Sequence, residues 1–159
     1  MRKVVSNTTP LLSLLKLGRL HLLKDLYGNV IVPYAVYLEI ERGRDWEYYV
    51  DLSKQSWITI QKLANPEALS YFFDLDSGEA EVIVLARELH ADLVILDESL
   101  GRRYAQELGL TLTGTIGVLL KAKQNRLIPS VKNALLELSE KGVWLSTALI
   151  QHASELAGE

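Results

Sequence analysis

The chain contains 159 residues, of which 48% are hydrophobic and 23% are charged, and its formal net charge is −3. This size and balance predict a single globular domain over residues 1–159 and exclude a disordered or fibrous chain. Zero cysteines exclude disulfides and thiolate zinc sites, and the lack of a membrane-length apolar run or a signal peptide predicts a cytoplasmic protein with no membrane partner.

The first half of the chain alternates short strands with helices. A strand opens at residues 4–5, and Thr9 and Pro10 fit the N-cap and the first position of a helix that Gly18 interrupts. The next elements predicted are a helix at 20–26, a strand at 30–32, a helix at 33–42, a loop or partial helix at 44–51 and an edge strand at 57–60.

The alternation continues in the second half. A short helical stretch covers 66–73, Asp76 or Ser77 caps a helix that reaches His90, and the apolar run 93–96 is typical of the centre of a parallel sheet. The remaining elements predicted are a helix at 99–108, a strand at 110–112, a helix from Thr115 to 124, and helices at 131–141 and 145–156. This order predicts β-α units in one parallel α/β sheet.

Four oxygen-bearing side chains stand where apolar runs give way to turns or helices: Asn7, Glu39, Glu79 and Asp97. Ligands of open α/β sheets gather beyond the carboxyl ends of the strands. Asn7 and Asp97 each follow a predicted strand, and Glu39 and Glu79 lie on helices that can lean over the same edge. Three carboxylates and one amide, without cysteine or histidine, favour Mg²⁺ or Mn²⁺ over zinc.

Three of these residues also have structural explanations. Asn7 can be a turn residue whose side chain caps the next helix, and Asp97 can cap the helix that follows it. Glu39 lies in a strongly apolar helix and can form a salt bridge with Arg42 or Arg44 at its rim. Both interpretations stay open at each position.

Glu79 has the strongest alternative, since Asp76 and Glu79 fit the spacing of a capping box. Glu81, two residues further on, points to nearly the opposite side of the helix and shares a face with Glu88. We therefore prefer Glu79 to Glu81 as the acid that points inward.

Charge is distributed unevenly along the chain. Residues 102–132 carry six cations against one acid, a net charge of +5, which leaves −8 on the remainder. Arg102, Arg103, Lys121 and Lys123 are candidates for contacts with a nucleic-acid backbone, and we expect the two lysines to face the strand-end cleft. A solvated helical face explains the same count.

Taken together, these stretches resemble the PIN-domain nucleases, and the resemblance runs the length of the chain. It is closest to a VapC-like prokaryotic branch that is regarded as supplying the toxins of toxin–antitoxin pairs. The order and spacing of the segments carry the resemblance, because no single motif is specific. The segments are 5–11, 31–40, 75–83, 93–98 and 109–123.

The resemblance implies a three-layer α/β/α sandwich with a parallel sheet of order 3-2-1-4-5. It also implies phosphodiester hydrolysis, usually of RNA, with a divalent metal held at four acidic positions that fall on Asn7, Glu39, Glu79 and Asp97. Asn7 departs from the family pattern, which has an aspartate there, so we expect a weakened ribonuclease. Homodimers inhibited by a small antitoxin protein are a further implication.

Two other functions compete with this one. A non-catalytic PIN-like module would bind RNA or a protein without cutting it. A phosphotransferase or response-regulator-like acidic pocket is less well supported, because Gly114 and Gly117 are too few for a phosphate-cradling loop.

Overall fold

The computed structural model describes residues 2–159 and is built around a sheet of five parallel strands in the order β3-β2-β1-β4-β5. This confirms the sheet order that the resemblance implies. The strands are β1 (Val4–Ser6), β2 (Val30–Pro33), β3 (Ile58–Gln61), β4 (Leu93–Ile95) and β5 (Leu112–Thr113).

Helices flank the sheet and complete the predicted α/β/α architecture. They are α1 (Thr8–Lys16), α2 (His21–Tyr27), α3 (Tyr34–Glu41), α4 (Ser77–Glu88), α5 (Ser99–Glu107), α6 (Thr115–Gln124), α7 (Val131–Glu140) and α8 (Thr147–Leu156). Two 3-10 helices, Leu52–Lys54 and Pro66–Phe72, lie in the connections on either side of β3. None of the helices in residues 2–159 combines the length and the apolar character needed to cross a bilayer.

The apolar runs of the sequence become the centre of the sheet. Every residue of β1, β2 and β4 is buried, which requires cover on both faces and explains why these strands do not alternate polar with apolar residues. Helix α4 packs on β1 and β2, while α6 contacts α1, α2 and β5. A smaller cluster of Phe72, Ala80, Ile83 and Val84 packs beneath the second 3-10 helix.

Several predicted boundaries differ from the structure by one or two residues, and three of these differences have an evident cause. Helix α1 begins at Thr8 rather than Pro10, with Asn7 in extended backbone at the cap position, because the Thr9 hydroxyl bonds to Glu98. Thr115 is the first residue of α6 instead of its cap, a position that Gly114 occupies. Strand β5 lies at 112–113 instead of 110–112, because β4 pairs with the carbonyls of residues 111 and 113.

The parallel register brings the carboxyl ends of the strands to one edge of the sheet, which we call the C-terminal edge. Ser6 pairs with Ile95, and the Asn7 backbone N–H donates to the Ile95 carbonyl at 2.9 Å. The residues that follow β1 and β4 therefore leave the sheet side by side. This pairing positions the candidate site.

At the other end of the chain, Glu159 ties α6 to α7. Its carboxylate accepts hydrogen bonds from the Ser130 hydroxyl and from the Val131 and Lys132 backbone N–H groups, and it pairs with Lys123 at 3.0 Å. Burial alone would raise its pKa, but these hydrogen bonds outweigh burial and lower the pKa to about 2.

Replacing Glu159 by glutamine should lower the free energy of unfolding at neutral pH by about 1 kcal/mol, the usual cost of losing a helix cap. The stabilisation is present above the ordinary pKa of 4.5 and is lost as the pH falls through about 2, since the folded state depresses the pKa. Urea denaturation measures the effect, with the exposed Glu140→Gln as control. Equal stability of the Glu159 variant and the wild type would contradict this role.

Candidate acidic site at the sheet edge

Four carboxylates share the C-terminal edge of the sheet. Glu39 comes from α3, Asp76 and Glu79 from the start of α4, and Glu98 from the residues after β4. Burial raises the pKa of Glu39, and the negative charges of Asp76 and Glu98 raise it further, so these groups lie close enough to interact. We call this group, together with Asn7, the acidic cleft.

The turn between β1 and α1 supplies hydrogen-bond donors to two of the acids. Asn7 Nδ2 donates to Glu98 Oε2 at 3.0 Å, and the Thr9 hydroxyl donates to Glu98 Oε1 at 2.6 Å. The Thr8 hydroxyl donates to Glu39 Oε2 at 2.7 Å. Three consecutive residues therefore hold two acids that come from distant parts of the chain.

Asn7 does not act as the helix cap that its position allows, since its side chain makes no capping hydrogen bond. Only 3% of the residue is exposed, and within residues 2–159 its Oδ1 atom has no hydrogen-bond partner. A buried polar atom without a partner is costly. The free Asn7 Oδ1 atom therefore lies at a position where the sequence predicts an oxygen ligand for a metal ion.

Glu79 reaches the cleft because Asp76 fixes the start of α4. Of the two caps that the sequence left open, Asp76 is the N-cap and Ser77 the first residue of the helix, and the Asp76 carboxylate accepts from the Glu79 backbone N–H at 2.8 Å. Glu79 is 8% exposed. Burial, a side-chain hydrogen bond with Asp76, and the charges of Asp76, Glu98 and Glu39 raise the pKa of Glu79 to about 8.

Glu81 makes its contact outside this group of acids. Its carboxylate accepts from the Ala35 backbone N–H at 3.3 Å, so it lies at the start of α3. Of the two acids that the sequence left as alternatives, Glu79 is the one grouped with Glu39 and Glu98.

Glycines let the helices approach the carboxylates. A Cβ atom at Gly78 would overlap Glu39 Oε1, and one at Gly101 would lie 3.0 Å from Glu79 Oε2. A side chain at Gly78 would displace the Glu39 carboxylate, and one at Gly101 would crowd both Glu79 and Leu96. The space that these glycines leave is therefore filled by carboxylate oxygens.

Asp97 makes a different contact from the one expected. Both of its oxygens accept hydrogen bonds from Thr115, Oδ1 from the backbone N–H at 2.8 Å and Oδ2 from the hydroxyl at 2.6 Å. Asp97 thus ties the end of β4 to the start of α6, and its role as a metal ligand stays a prediction. Glu98, which the sequence analysis did not select, faces Asn7 and Thr9 instead; its position directly after Asp97 was the one available signal.

The basic residues predicted to contact nucleic acid are dispersed. Arg102 donates from Nη1 to the Leu96 carbonyl at 2.8 Å and so braces the strand end, and Arg103 is exposed on α5. Lys121 stacks over the ring of Tyr27 at 4.7 Å. Lys123 pairs with Glu159. The structure does not bring the two lysines to the acidic cleft.

Lys121 lies near the opposite edge of the sheet. The guanidinium of Arg2, which precedes β1, lies 5.7 Å from the same Tyr27 ring. Burial and the charge of Arg2 lower the pKa of Lys121. Part of the positive charge of segment 102–132 is therefore placed where the strands begin.

The chemistry of the acidic cleft suits a hard cation. Its donors are carboxylate oxygens and the unpartnered Asn7 Oδ1, and within residues 2–159 no ion pair neutralises Glu79 or Glu98. No three His, Cys, Asp or Glu side chains of the described residues form a set that could hold a metal ion as they stand. The Asn7 and Thr9 side chains donate to the two oxygens of Glu98, and the Thr8 hydroxyl donates to one oxygen of Glu39.

Comparison with known proteins identifies the family. A family model described as PIN domain matches residues 3–159, and the chain therefore belongs to the PIN-domain family. Members of this family are typically nucleases that use divalent metal ions. A search of curated proteins gave no match.

Glu79 should make the stability of the protein depend on pH. Its pKa of about 8 exceeds the ordinary value of 4.5, so the folded state holds a proton that the unfolded state releases, and stability should fall as the pH rises from 4.5 to 8. Glu79→Gln mimics the protonated acid and should reduce this slope. The free energy of unfolding, measured over this pH range with a chelator present, gives the slope.

The exposed Glu67→Gln serves as the control and should keep the wild-type slope. If Glu79→Gln also keeps it, the crowding of acids around Glu79 is not as described.

Proposed function

We propose that the chain is a metal-dependent endoribonuclease that acts in the cytoplasm, with its activity weakened by Asn7. One observation carries the proposal: the half-buried Glu39 and Glu98 and the exposed Asp76 crowd the buried Glu79, whose pKa rises to about 8, beside the unpartnered amide oxygen of Asn7. Such crowding is unfavourable without a positive charge, and it is typical of functional sites.

In this proposal Glu39, Glu79 and Glu98 hold the metal, with Asn7 Oδ1 as a neutral donor, and Asp97 is the alternative to Glu98. Mg²⁺ or Mn²⁺, when bound, polarises the scissile phosphate and lowers the pKa of a water molecule. Thr8 and Thr9 orient Glu39 and Glu98, because their hydroxyls fix one oxygen of each acid. Gly78 and Gly101, which have no side chains, leave room for the carboxylate oxygens of Glu39 and Glu79.

Proton binding competes with metal binding at Glu79. With a pKa of about 8 the carboxyl holds a proton at neutral pH, and this proton must leave before the group can ligate a cation. Metal affinity should therefore rise with pH. Glu39, whose pKa is also raised, adds to the same trend.

Two observations favour the second candidate, a non-catalytic module that binds RNA or protein. Asn7 donates to Glu98 and so stabilises that acid without any cation. Asp97, the predicted fourth acid, is occupied by Thr115. The two candidates differ in whether the chain cuts RNA.

The toxin role, a homodimer and inhibition by a small antitoxin are proposed on the resemblance alone. Co-expression with the product of the adjacent open reading frame tests the toxin role and the antitoxin, since an antitoxin should form a stable complex and suppress cleavage, and the oligomeric state of the chain alone tests the homodimer.

An assay for cleavage of a mixed RNA pool with Mn²⁺ separates the nuclease from the non-catalytic module. The variants Glu98→Gln and Asp97→Asn show which of these two acids is the metal ligand. We expect slow cleavage by the wild type. Glu98→Gln should abolish it and weaken Mn²⁺ binding about tenfold or more, because a facing charge is lost. Asp97→Asn should mainly lower the melting temperature, since it loosens the Thr115 contact.

The outcomes divide clearly. If Asp97→Asn weakens Mn²⁺ binding and Glu98→Gln does not, the fourth ligand is Asp97. If the wild type binds Mn²⁺ or RNA but never cleaves, the non-catalytic module is the correct function.

Asn7→Asp should raise cleavage and tighten Mn²⁺ binding about tenfold or more. The new carboxylate adds a negative charge where Asn7 now donates to Glu98, and two like charges about 4 Å apart cost about 4 kcal/mol at an effective dielectric near 20. The variant should therefore melt at lower temperature in chelator and regain stability with Mn²⁺. Calorimetry and cleavage rates measure both effects.

The control Asn29→Asp makes the same chemical change in the turn before β2. It should alter neither the cleavage rate nor the affinity for Mn²⁺. Unchanged metal binding and cleavage in Asn7→Asp would remove position 7 from the site.

A further inference from the structure

An exposed lysine and an exposed tyrosine form a pair beside the acidic cleft. Lys62 Nζ lies 4.7 Å from the centre of the Tyr34 ring, within the range of a cation–π contact. Tyr34 remains 37% exposed with the lysine in place, and Lys62 is exposed as well. Tyr37, 6.1 Å from Tyr34 between ring centres, supports the ring from within α3.

The topology puts this pair at the C-terminal edge of the sheet. Pro33 and Gln61 are register partners at the ends of β2 and β3, so Tyr34 and Lys62, the next residues, leave the sheet side by side. Strand β2 is the neighbour of β1, whose end leads to Asn7. Adjacent strands lie about 5 Å apart, so the pair and the cleft are close along one edge.

Helix α3 links the pair to the cleft directly. Tyr34 is its first residue and Glu39 its sixth, a rise of about 7.5 Å along the helix axis. One short helix therefore carries both the aromatic member of the pair and one acid of the cleft.

The charge of Lys62 is free for a ligand. The ion pairs among residues 2–159 are Arg44–Glu41, Lys123–Glu159 and Lys141–Glu137, so no carboxylate neutralises Lys62. It thus provides positive charge next to a strongly acidic cleft. A polyanion whose scissile group must enter that cleft needs such a contact nearby.

We propose that Tyr34 and Lys62 bind one nucleotide of a single-stranded nucleic acid next to the acidic cleft. The base takes the place of the Lys62 ammonium group on the face of the Tyr34 ring, and the displaced ammonium group contacts the neighbouring phosphate. Stacking on a side chain requires an unpaired base, which selects single strands over duplexes. The inference rests on the proposed nuclease function and deepens it, since it places the substrate across the ends of β2 and β3.

Binding is measured without cleavage, in chelator, by fluorescence anisotropy of a labelled single-stranded RNA of about 12 nucleotides. Tyr34→Leu removes the aromatic face and Lys62→Gln the charge, and each should weaken binding about tenfold. Tyr34→Phe and Lys62→Arg keep these features and should bind as the wild type does. A blunt duplex should compete poorly, and single-stranded DNA in parallel shows whether the 2′-hydroxyl matters.

Salt dependence separates the two roles. Lys62→Gln should make the slope of log affinity against log salt shallower by about 0.7, the value for one phosphate contact on a single strand, while Tyr34→Leu should leave the slope unchanged. Lys16→Gln is the matched control, because Lys16 forms a similar pair with Tyr48 at 5.6 Å. That pair lies at the far end of α1 and should not affect binding.

Wild-type binding by Tyr34→Leu and Lys62→Gln would overturn the inference, as would an equal loss in Lys16→Gln. Failure of the nuclease proposal looks different. In that case the wild type binds the single strand through Tyr34 and Lys62 but does not cut it with Mn²⁺, and Glu98→Gln changes nothing.

Discussion

The pairing of β1 with β4 is the constraint on which the site depends. Ser6 lies opposite Ile95, and the Asn7 N–H donates to the Ile95 carbonyl, so the chain leaves both strands at the same level. Neither strand has more than three residues, and all six are buried. A shift of one residue in this register would turn every side chain to the other face of the sheet and would separate Asn7 from Glu98.

Crowding of carboxylates is the electrostatic consequence of that arrangement. The protein offsets it in three ways: residues 7–9 donate hydrogen bonds to Glu39 and Glu98, Glu79 takes up a proton, and an amide replaces one negative charge. Asn7 thus avoids the charge repulsion that a carboxylate at this position would add to Glu98 and its neighbours in the absence of a cation.

The sequence predicted most of the fold, because apolar runs, caps and glycine stops report local structure directly. The parallel strands and the Asp76 cap followed from such signals, and the strand order followed from the family resemblance. Neighbours in sequence were harder to separate. Asp97 and Glu98 both carry a carboxylate, and only the hydrogen bonds to Thr115 and Thr9, residues distant along the chain, show which one turns toward the cleft. For the same reason the sequence did not single out Tyr34 and Lys62, which meet only through the register of β2 and β3.

Arg2 and Lys121 place two positive charges over one ring, that of Tyr27, at the edge where the strands begin. The face of the ring compensates in part for the repulsion between the two cations, because an aromatic face attracts positive charge. Burial and the charge of Arg2 lower the pKa of Lys121 at this contact. The repulsion weakens as salt shortens the Debye length, so the contact between α2, α6 and the residue before β1 is sensitive to ionic strength.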